Sequence, residues 1–343
     1  MAIVESNSDI EMSQISKSFA GLPMPADKDL TLGRVPRPRA RRAVVNRFPF
    51  PVPNGWFIVA RADEIAPSEV VPVNYFGSDL VVFRTADGTP RTVDAYCAHL
   101  GAHLAVGGKV EGDCIRCPFH GWAYDGDTGS CTEIPYAESG RIPTKAKIRS
   151  FPTIERNRMI WAWHHAEGKP PFYEVPEVPE FHDAEWTEPE CRDFFVNTSC
   201  QEMAENNHDF AHFKYVHGTP DIPWDTHVID GCYKRAEALG GTFVRETFGL
   251  GLGVLRTPGA FTFISSTTPI DTENVHVRWI FTSPKSAGIS TTDIGDRFLS
   301  GVSQDIPIWE NKVYRERPVL TKEEKGISQH REWAKQFYSH PAS

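Results

Sequence analysis

No stretch of this 343-residue chain runs apolar for the roughly 18 residues that a bilayer-crossing helix needs. The N-terminal segment also lacks an apolar run of the kind a secretory signal carries. Positive charge is in deficit: 36 Lys and Arg stand against 45 Asp and Glu, a formal net charge of −9. This argues against nucleic acid as the main partner, because a phosphate backbone is held mainly by surplus Lys and Arg. Cysteine is sparse and odd in number, at seven, in a chain too long to need a disulfide framework. No internal repeat or low-complexity segment is present. The expectation is a protein without a membrane span in a reducing, cytoplasmic location. Hydrophobic residues at 40% and charged residues at 24% are the balance of a globular chain, long enough for two domains or one large one.

Residues 1–46 read as a tail, polar and then basic and Pro-rich (Arg34, Pro36, Arg37, Pro38, Arg39, Arg41, Arg42), and its plain reading is a solvated arm. From Phe48 the character changes. Gly55-Trp56-Phe57-Ile58-Val59 and Leu80-Val81-Val82-Phe83 read as short strands, the second followed by an Asp87-Gly88 turn, and short strands continue to Met159-Ile160-Trp161-Ala162-Trp163. A bridge with Pro170, Pro171, Pro176 and Pro179 is the best boundary, giving expected domains of 47–168 and 169–343. The second half opens on Ser199 and Glu202, spaced as a capping box, with helix formers to Val216 and stops at Gly218 and Pro220. A β pattern covers about 228–282. Val275, Val277, Trp279 and Phe281 alternate there with His276, Arg278 and Ile280, which predicts one apolar face. The last forty residues read as helical.

Four of the seven cysteines lie between 97 and 131, a bunching that suggests a metal site. Cys97-Ala98-His99 and Cys117-Pro118-Phe119-His120 form C-x-H…C-x-x-H. Two Cys and two His also suit tetrahedral zinc, but each pair sits in a loop with glycine (Leu100-Gly101, Gly121-Trp122) on a β framework. The pattern resembles the Rieske [2Fe–2S] motif, which implies that Cys97 and Cys117 hold one iron and His99 and His120 the other. Respiratory Rieske proteins carry an extra Cys in each loop; Ala102 and Phe119 stand here instead, which points to the oxygenase and ferredoxin branch. Cys114 and Cys131 read as core thiols and His103 as structural.

The second constellation is Asn206-x-x-Asp209-x-x-His212-x4-His217. Two His and a carboxylate on one face of an octahedron serve non-haem Fe(II) oxygenases. Residues five apart do not share a helix face, so His217 must leave the helical path. Asp209 and His212, three apart, do share one, which makes Asp209 a natural orienting carboxylate rather than a ligand. For the carboxylate ligand, Asp305 is preferred, on an expected helix whose Ile308 and Trp309 pack on the core; Asp271, Asp293 and Asp296 lie in turn-like or polar contexts.

Taken together, the two motifs resemble the oxygenase (α) component of the Rieske non-haem iron oxygenases over roughly residues 48–340. The flanking residues are similar to the 3-ketosteroid 9α-hydroxylase and cholesterol 7-desaturase branch: Asp94-Ala95-Tyr96-Cys97-Ala98-His99, Ile134-Pro135-Tyr136, His212-Phe213-x-Tyr215-Val216-His217, Gln304-Asp305-x-x-Ile308-Trp309 and Trp333-Ala334-Lys335-Gln336-Phe337-Tyr338. The resemblance implies an α+β chain: an all-β Rieske domain, then a helix-grip-like catalytic domain with an antiparallel sheet and flanking helices. It implies a [2Fe–2S] cluster and a mononuclear Fe(II) on His212, His217 and Asp305. It further implies a head-to-tail homotrimer in which Asp209 bridges the two sites across the subunit interface. Electrons would come from a separate ferredoxin and/or reductase, and O2 would hydroxylate or desaturate an apolar polycycle, a steroid or sterol. Gly249-Leu250-Gly251-Leu252-Gly253 is not G-x-G-x-x-G, so no nicotinamide or flavin domain is evident. Two other readings are open at this level: an oxygenase or demethylase of smaller aromatic compounds, and a Rieske electron carrier or redox sensor without catalysis.

Overall fold

The computed structural model describes residues 47–219 and 224–339; the N-terminal tail and Pro220 lie outside them. The first half is built from short antiparallel strands. They are β1 (Gly55–Arg61), β2 (Val70–Tyr75), β3 (Ser78–Arg84), β4 (Pro90–Asp94), β5 (Lys109–Glu111), β6 (Cys114–Arg116), β7 (Ala123–Asp125), β8 (Cys131–Glu133), β9 (Ser150–Phe151), β10 (Thr153–Arg156) and β11 (Met159–His164). They form three sheets, ordered β1-β11-β10, β2-β3-β4-β9 and β5-β6-β7-β8. Rows of β-branched and aromatic residues make strands of these segments, and Asp87-Gly88 turns β3 into β4, with Gly88 N–H bonding Thr85 O at 3.0 Å.

Among the described residues the second half is a seven-stranded antiparallel sheet wrapped by four helices. Its strands are β12 (Glu190–Val196), β13 (Thr226–Asp230), β14 (Tyr233–Ala238), β15 (Phe243–Phe248), β16 (Leu252–Thr257), β17 (Phe261–Pro269) and β18 (Val275–Thr282), in the order β12-β18-β17-β16-β15-β14-β13. The helices are α1 (Cys200–Glu205), α2 (Ala211–Tyr215), α3 (Thr291–Trp309) and α4 (Lys325–Ala334). This is the α+β class expected. No helix among the described residues is long and apolar enough to cross a membrane.

The large sheet is covered on both faces. Leu252, Val254, Ile264 and Ile280 pack with Trp56, Ile58, Trp161 and Trp163 of the first half. On the other face Phe263 and Trp279 meet Phe298 of α3. The expected single apolar face of β18 is therefore corrected. His276 and Arg278 are buried as well, and they tie the two halves together: Tyr75 Oη lies 2.8 Å from His276 Nδ1, and Arg278 donates to Tyr75 Oη at 2.8 Å and to Ile58 O at 3.0 Å.

Three helix expectations also change. Ser199 does cap α1, its hydroxyl accepting from Glu202 N–H at 3.3 Å. The single helix expected to Val216, however, breaks: a 3-10 turn spans Asn206–His208, and Asp209 is extended, with φ −99° and ψ 92°. On α3, Trp309 packs into the core while Ile308 is 49% exposed. Lastly, residues 312–324 carry no helix, so the helical ending is confined to α4 and one 3-10 turn, Lys335–Phe337.

Candidate metal centres and the cavity between sheet and helix

The two Rieske-like loops are nearly superposable in their bonding. Cys97 N–H bonds Ala102 O at 2.9 Å and Gly101 N–H returns to Cys97 O at 3.0 Å; Cys117 N–H bonds Trp122 O at 2.8 Å and Gly121 N–H returns to Cys117 O at 3.1 Å. Such tight loops need a left-handed residue at the fifth position, and Gly101 (φ +75°) and Gly121 (φ +74°) supply it. The loops converge. The His99 and His120 rings are 4.7 Å apart, and His99 lies flat on Trp122 at 4.6 Å. Cys97 and Cys117 are buried and their thiols touch each other.

Further contacts at these loops carry no sequence signal. Tyr124 Oη sits 3.1 Å from Cys97 Sγ and accepts from Ala98 N–H at 3.1 Å, and burial drives its own pKa well up. His103 Nδ1 takes the N–H of Ala105 at 3.1 Å, a turn cap. Two buried thiols, two facing imidazoles and a buried His99 Nδ1 without a hydrogen-bond partner fit a cluster held by two Cys and two His.

In the second half the break at Asp209 sets the geometry. With the chain extended there, α2 starts afresh and returns His212 toward α3. His217 N–H still bonds Phe213 O, at 3.2 Å, before Gly218 turns left-handed at φ +67°. One ligand atom from each of His212, His217 and Asp305 falls within 4.8 Å of the others. His217 Nε2 is 3.4 Å from Asp305 Oδ2, and the Asp305 carboxylate, through its contact with the ring, raises the His217 pKa.

The other carboxylates considered from the sequence are engaged elsewhere. Asp271 takes the side chain of Asn274, Asp293 is at the start of α3, and Asp296 pairs with Arg192.

Asp209 acts differently from the expectation. Its carboxylate does not bond the imidazole, from which it stands 4.0 Å away and 38% exposed; instead it accepts the backbone N–H of His212 at 3.3 Å. The backbone carbonyl of Asp209 takes the His212 Nδ1–H. That contact fixes the Nδ1–H tautomer, leaving Nε2 as a lone pair beside Asn206 Nδ2 at 3.3 Å. A lone pair aimed by a main-chain acceptor, a buried carboxylate and a His217 Nδ1 without a partner fit a divalent iron on two His and one carboxylate.

This triad opens on a cavity of about 310 Å³ between the sheet and α3. Period-2 geometry puts Ala236, Gly253, Leu255, Phe263, Ser265 and Trp279 on its wall, and Phe298, Val302 and Asp305 line it from one face of α3. The wall is chiefly apolar and aromatic, as suits a greasy ligand. Lys234, Arg245, His208 and His330 also line it, none of which the sequence reading singled out for this role.

Comparison with known proteins places these features. Residues 55–152 match the Rieske [2Fe-2S] domain, and residues 162–338 match the 3-Ketosteroid 9alpha-hydroxylase C-terminal domain. The chain is 34% identical over 341 residues to the cholesterol 7-desaturase of Xenopus laevis, spanning 87% of this chain and 74% of that protein. It is 32% identical over 320 residues to the oxygenase component of the 3-ketosteroid-9-alpha-monooxygenase of Mycolicibacterium smegmatis, spanning 83% and 82%. Among solved structures, NdmB of Pseudomonas putida CBB5 aligns with a TM-score of 0.68 at 20% identity, covering 82% of this chain and 89% of that one. Dicamba monooxygenase bound to dicamba aligns at 0.63 and 17%, covering 83% and 96%. At such identities these two speak for the fold alone.

Proposed function

The chain belongs to the Rieske oxygenases with a 3-ketosteroid 9α-hydroxylase type of catalytic domain, and from that premise we propose that it is a terminal oxygenase component oxidising a C–H bond of a steroid or sterol. The observation that carries this reading is the apolar cavity opening on His212, His217 and Asp305. We assign Cys97, His99, Cys117 and His120 to the [2Fe–2S] cluster and His212, His217 and Asp305 to the mononuclear iron. When bound, the cluster supplies one-electron storage and the iron supplies O2 chemistry.

The protein's own residues do the rest. Tyr124 O–H donates to the Cys97 sulfur and steadies its negative charge. The Asp209 carbonyl holds the His212 proton at Nδ1. Leu255, Phe263, Trp279 and Phe298 hold an apolar skeleton and exclude water from one face of it. Electrons come from a separate ferredoxin and/or reductase, as an oxygenase component requires.

We place the domain limits at 47–168 and 169–343, in the Pro-rich bridge, and the protein in the cytoplasm, where its seven unpaired cysteines suit a reducing medium. We also assign a head-to-tail homotrimer. Exposed Leu100 and Phe119 at the loop tips and the outward carboxylate of Asp209 support a neighbour docking there. Reconstitution with a surrogate ferredoxin and reductase, followed by product identification over a panel of steroids and small aromatics, tests the reading. Oxidised steroid is expected; turnover of aromatics alone would overturn it.

A further inference from the structure

β14 reads Tyr-Lys-Arg-Ala-Glu-Ala, with alternate residues buried, so Lys234 shares the cavity face with Ala236. Its register with β15 sets Ala236 opposite Arg245 and Lys234 opposite Thr247. Both cations therefore project from neighbouring strands onto one wall of the cavity. Lys234 is only 3% exposed. Its Nζ lies 3.1 Å from His208 Nε2 and 2.9 Å from His330 Nδ1, with the Trp333 ring beneath it at 3.7 Å.

When Lys234 is protonated it has donors only, so both imidazole nitrogens then accept through lone pairs and both rings are neutral. Burial keeps them so, pushing His208 down to about 2 and His330 well below its ordinary range, with Lys234 adding to the effect. Burial, with Arg245 nearby, brings Lys234 itself down to about 7, so an anion beside it is what would hold it as an ammonium, and the two histidines aim its head without supplying that charge. Arg245 has no carboxylate within ion-pair reach among the described residues, and its buried Nε has no acceptor. Gly253 makes room for its head: a Cβ there would stand 2.7 Å from Nη2. Among the described residues Asp305 is the one carboxylate lining the cavity, and it faces His217.

Buried cations are costly unless paired, and among the described residues no carboxylate pairs with either of these two. We propose that the β14–β15 end of the cavity binds a carboxylate carried by the apolar substrate, taken by Lys234 and Arg245, with His208 and His330 positioning the ammonium. The proposal rests on the steroid oxygenase reading and deepens it: the substrate is a steroid acid. Its charged group is anchored on the sheet while its skeleton runs past Leu255 and Phe263 to the iron ligands.

The test uses the iron-loaded full chain and two probes, a steroid with a side-chain carboxylate and its methyl ester, with Kd read by calorimetry. Wild type is expected to prefer the acid about tenfold, the scale of a buried charge-assisted hydrogen bond. K234M and R245M, each on its own strand, are expected to bring acid and ester within about threefold while the ester Kd and the iron content stay as in wild type. Equal wild-type affinity for acid and ester would overturn the carboxylate site and leave the steroid reading standing. Equal weakening of both ligands in the two variants would do the same. Failure of both probes to bind the iron-loaded protein would overturn both.

Discussion

The loops that carry Cys97, His99, Cys117 and His120 are near copies of each other, each closed by its own backbone bonds and one left-handed glycine. The residues of the second site share no such module: His212 and His217 come from a broken helix and Asp305 from α3, far along the chain. The first site is local and the second is tertiary. A local site is specified by spacing, because the loop that presents the ligands is itself encoded between them. A tertiary site depends on how α2, α3 and the sheet pack, and damage to that packing reaches the metal.

The largest expected effect tests the tertiary side. Asp305→Ala should abolish binding of the mononuclear iron and lower turnover beyond the roughly 100-fold that loss of an outer contact costs, with the Rieske visible spectrum unchanged. Asp296→Ala should leave the iron in place. Iron analysis of both variants decides between them, and iron retained in Asp305→Ala would put the ligand elsewhere.

Next comes Asp209→Asn. Among the described residues its exposed carboxylate bonds only the His212 backbone, while the carbonyl that holds His212 is untouched. Turnover should fall by about 100-fold or more, the size of a positioning loss, with both metal signals intact by electron paramagnetic resonance. Loss of the mononuclear iron would mean that Asp209 acts inside one chain and bridges nothing.

Acid should act more gently, and on both halves. His164, in the first half, is buried and pushed down to about 4, by desolvation first and Arg149 second. Its folded pKa is below the unfolded value near 6.5, so the unfolded chain binds more protons. Stability is complete above pH 6.5 and is lost as pH falls toward 4. At about 1.4 kcal/mol per pH unit, this amounts to ~3 kcal/mol. His208 and His330 give the second half the same sign, so both halves weaken in acid. Denaturant midpoints of the metal-free chain between pH 7 and 4 should show a flatter slope in His164→Asn; an unchanged slope would count against the buried neutral ring.

The smallest effect belongs to the local site. Gly101→Ala meets no atom within 4 Å, so only the left-handed strain of ~1–2 kcal/mol opposes it. In Gly121→Ala a Cβ also stands 2.9 Å from Pro135 Cγ, and that variant should lose its cluster at a lower temperature. Thermal bleaching of the cluster compares the two, and equal midpoints would show that Pro135 adds no cost and that the loops are equivalent in their surroundings.

The same local-against-tertiary division decides how much could be read from residues alone. C-x-H…C-x-x-H and the strands around it were legible because loop, glycine and ligand are neighbours in sequence. Ser199 was legible as a cap for the same reason. The break at Asp209 was not: no Gly or Pro marks it, yet the residue is extended. Sequence spacing correctly put Asp209 near His212 but could not tell the carboxylate from the carbonyl. Ile308 and Trp309 were treated alike because a single residue step along a helix, a rotation of about 100°, separates exposed from buried, and only α3's partners define which is which. Lys234 and Arg245 were missed because a strand reading Lys-Arg-Ala-Glu resembles a solvated edge; its burial comes from α4 and the 3-10 turn laid over it.

The two-faced sheet has an evolutionary consequence. Gly253, Leu255 and Phe263 line the cavity, while Val254 and Ile264, their strand neighbours, pack with Trp56 and Ile58. Adjacent codons thus answer to different selective pressures, one set on what is oxidised and the other on how the two halves dock. A lineage can drift toward new substrates through every second residue of β16 and β17 without disturbing that docking. Directed libraries restricted to that alternation should keep most of their members folded.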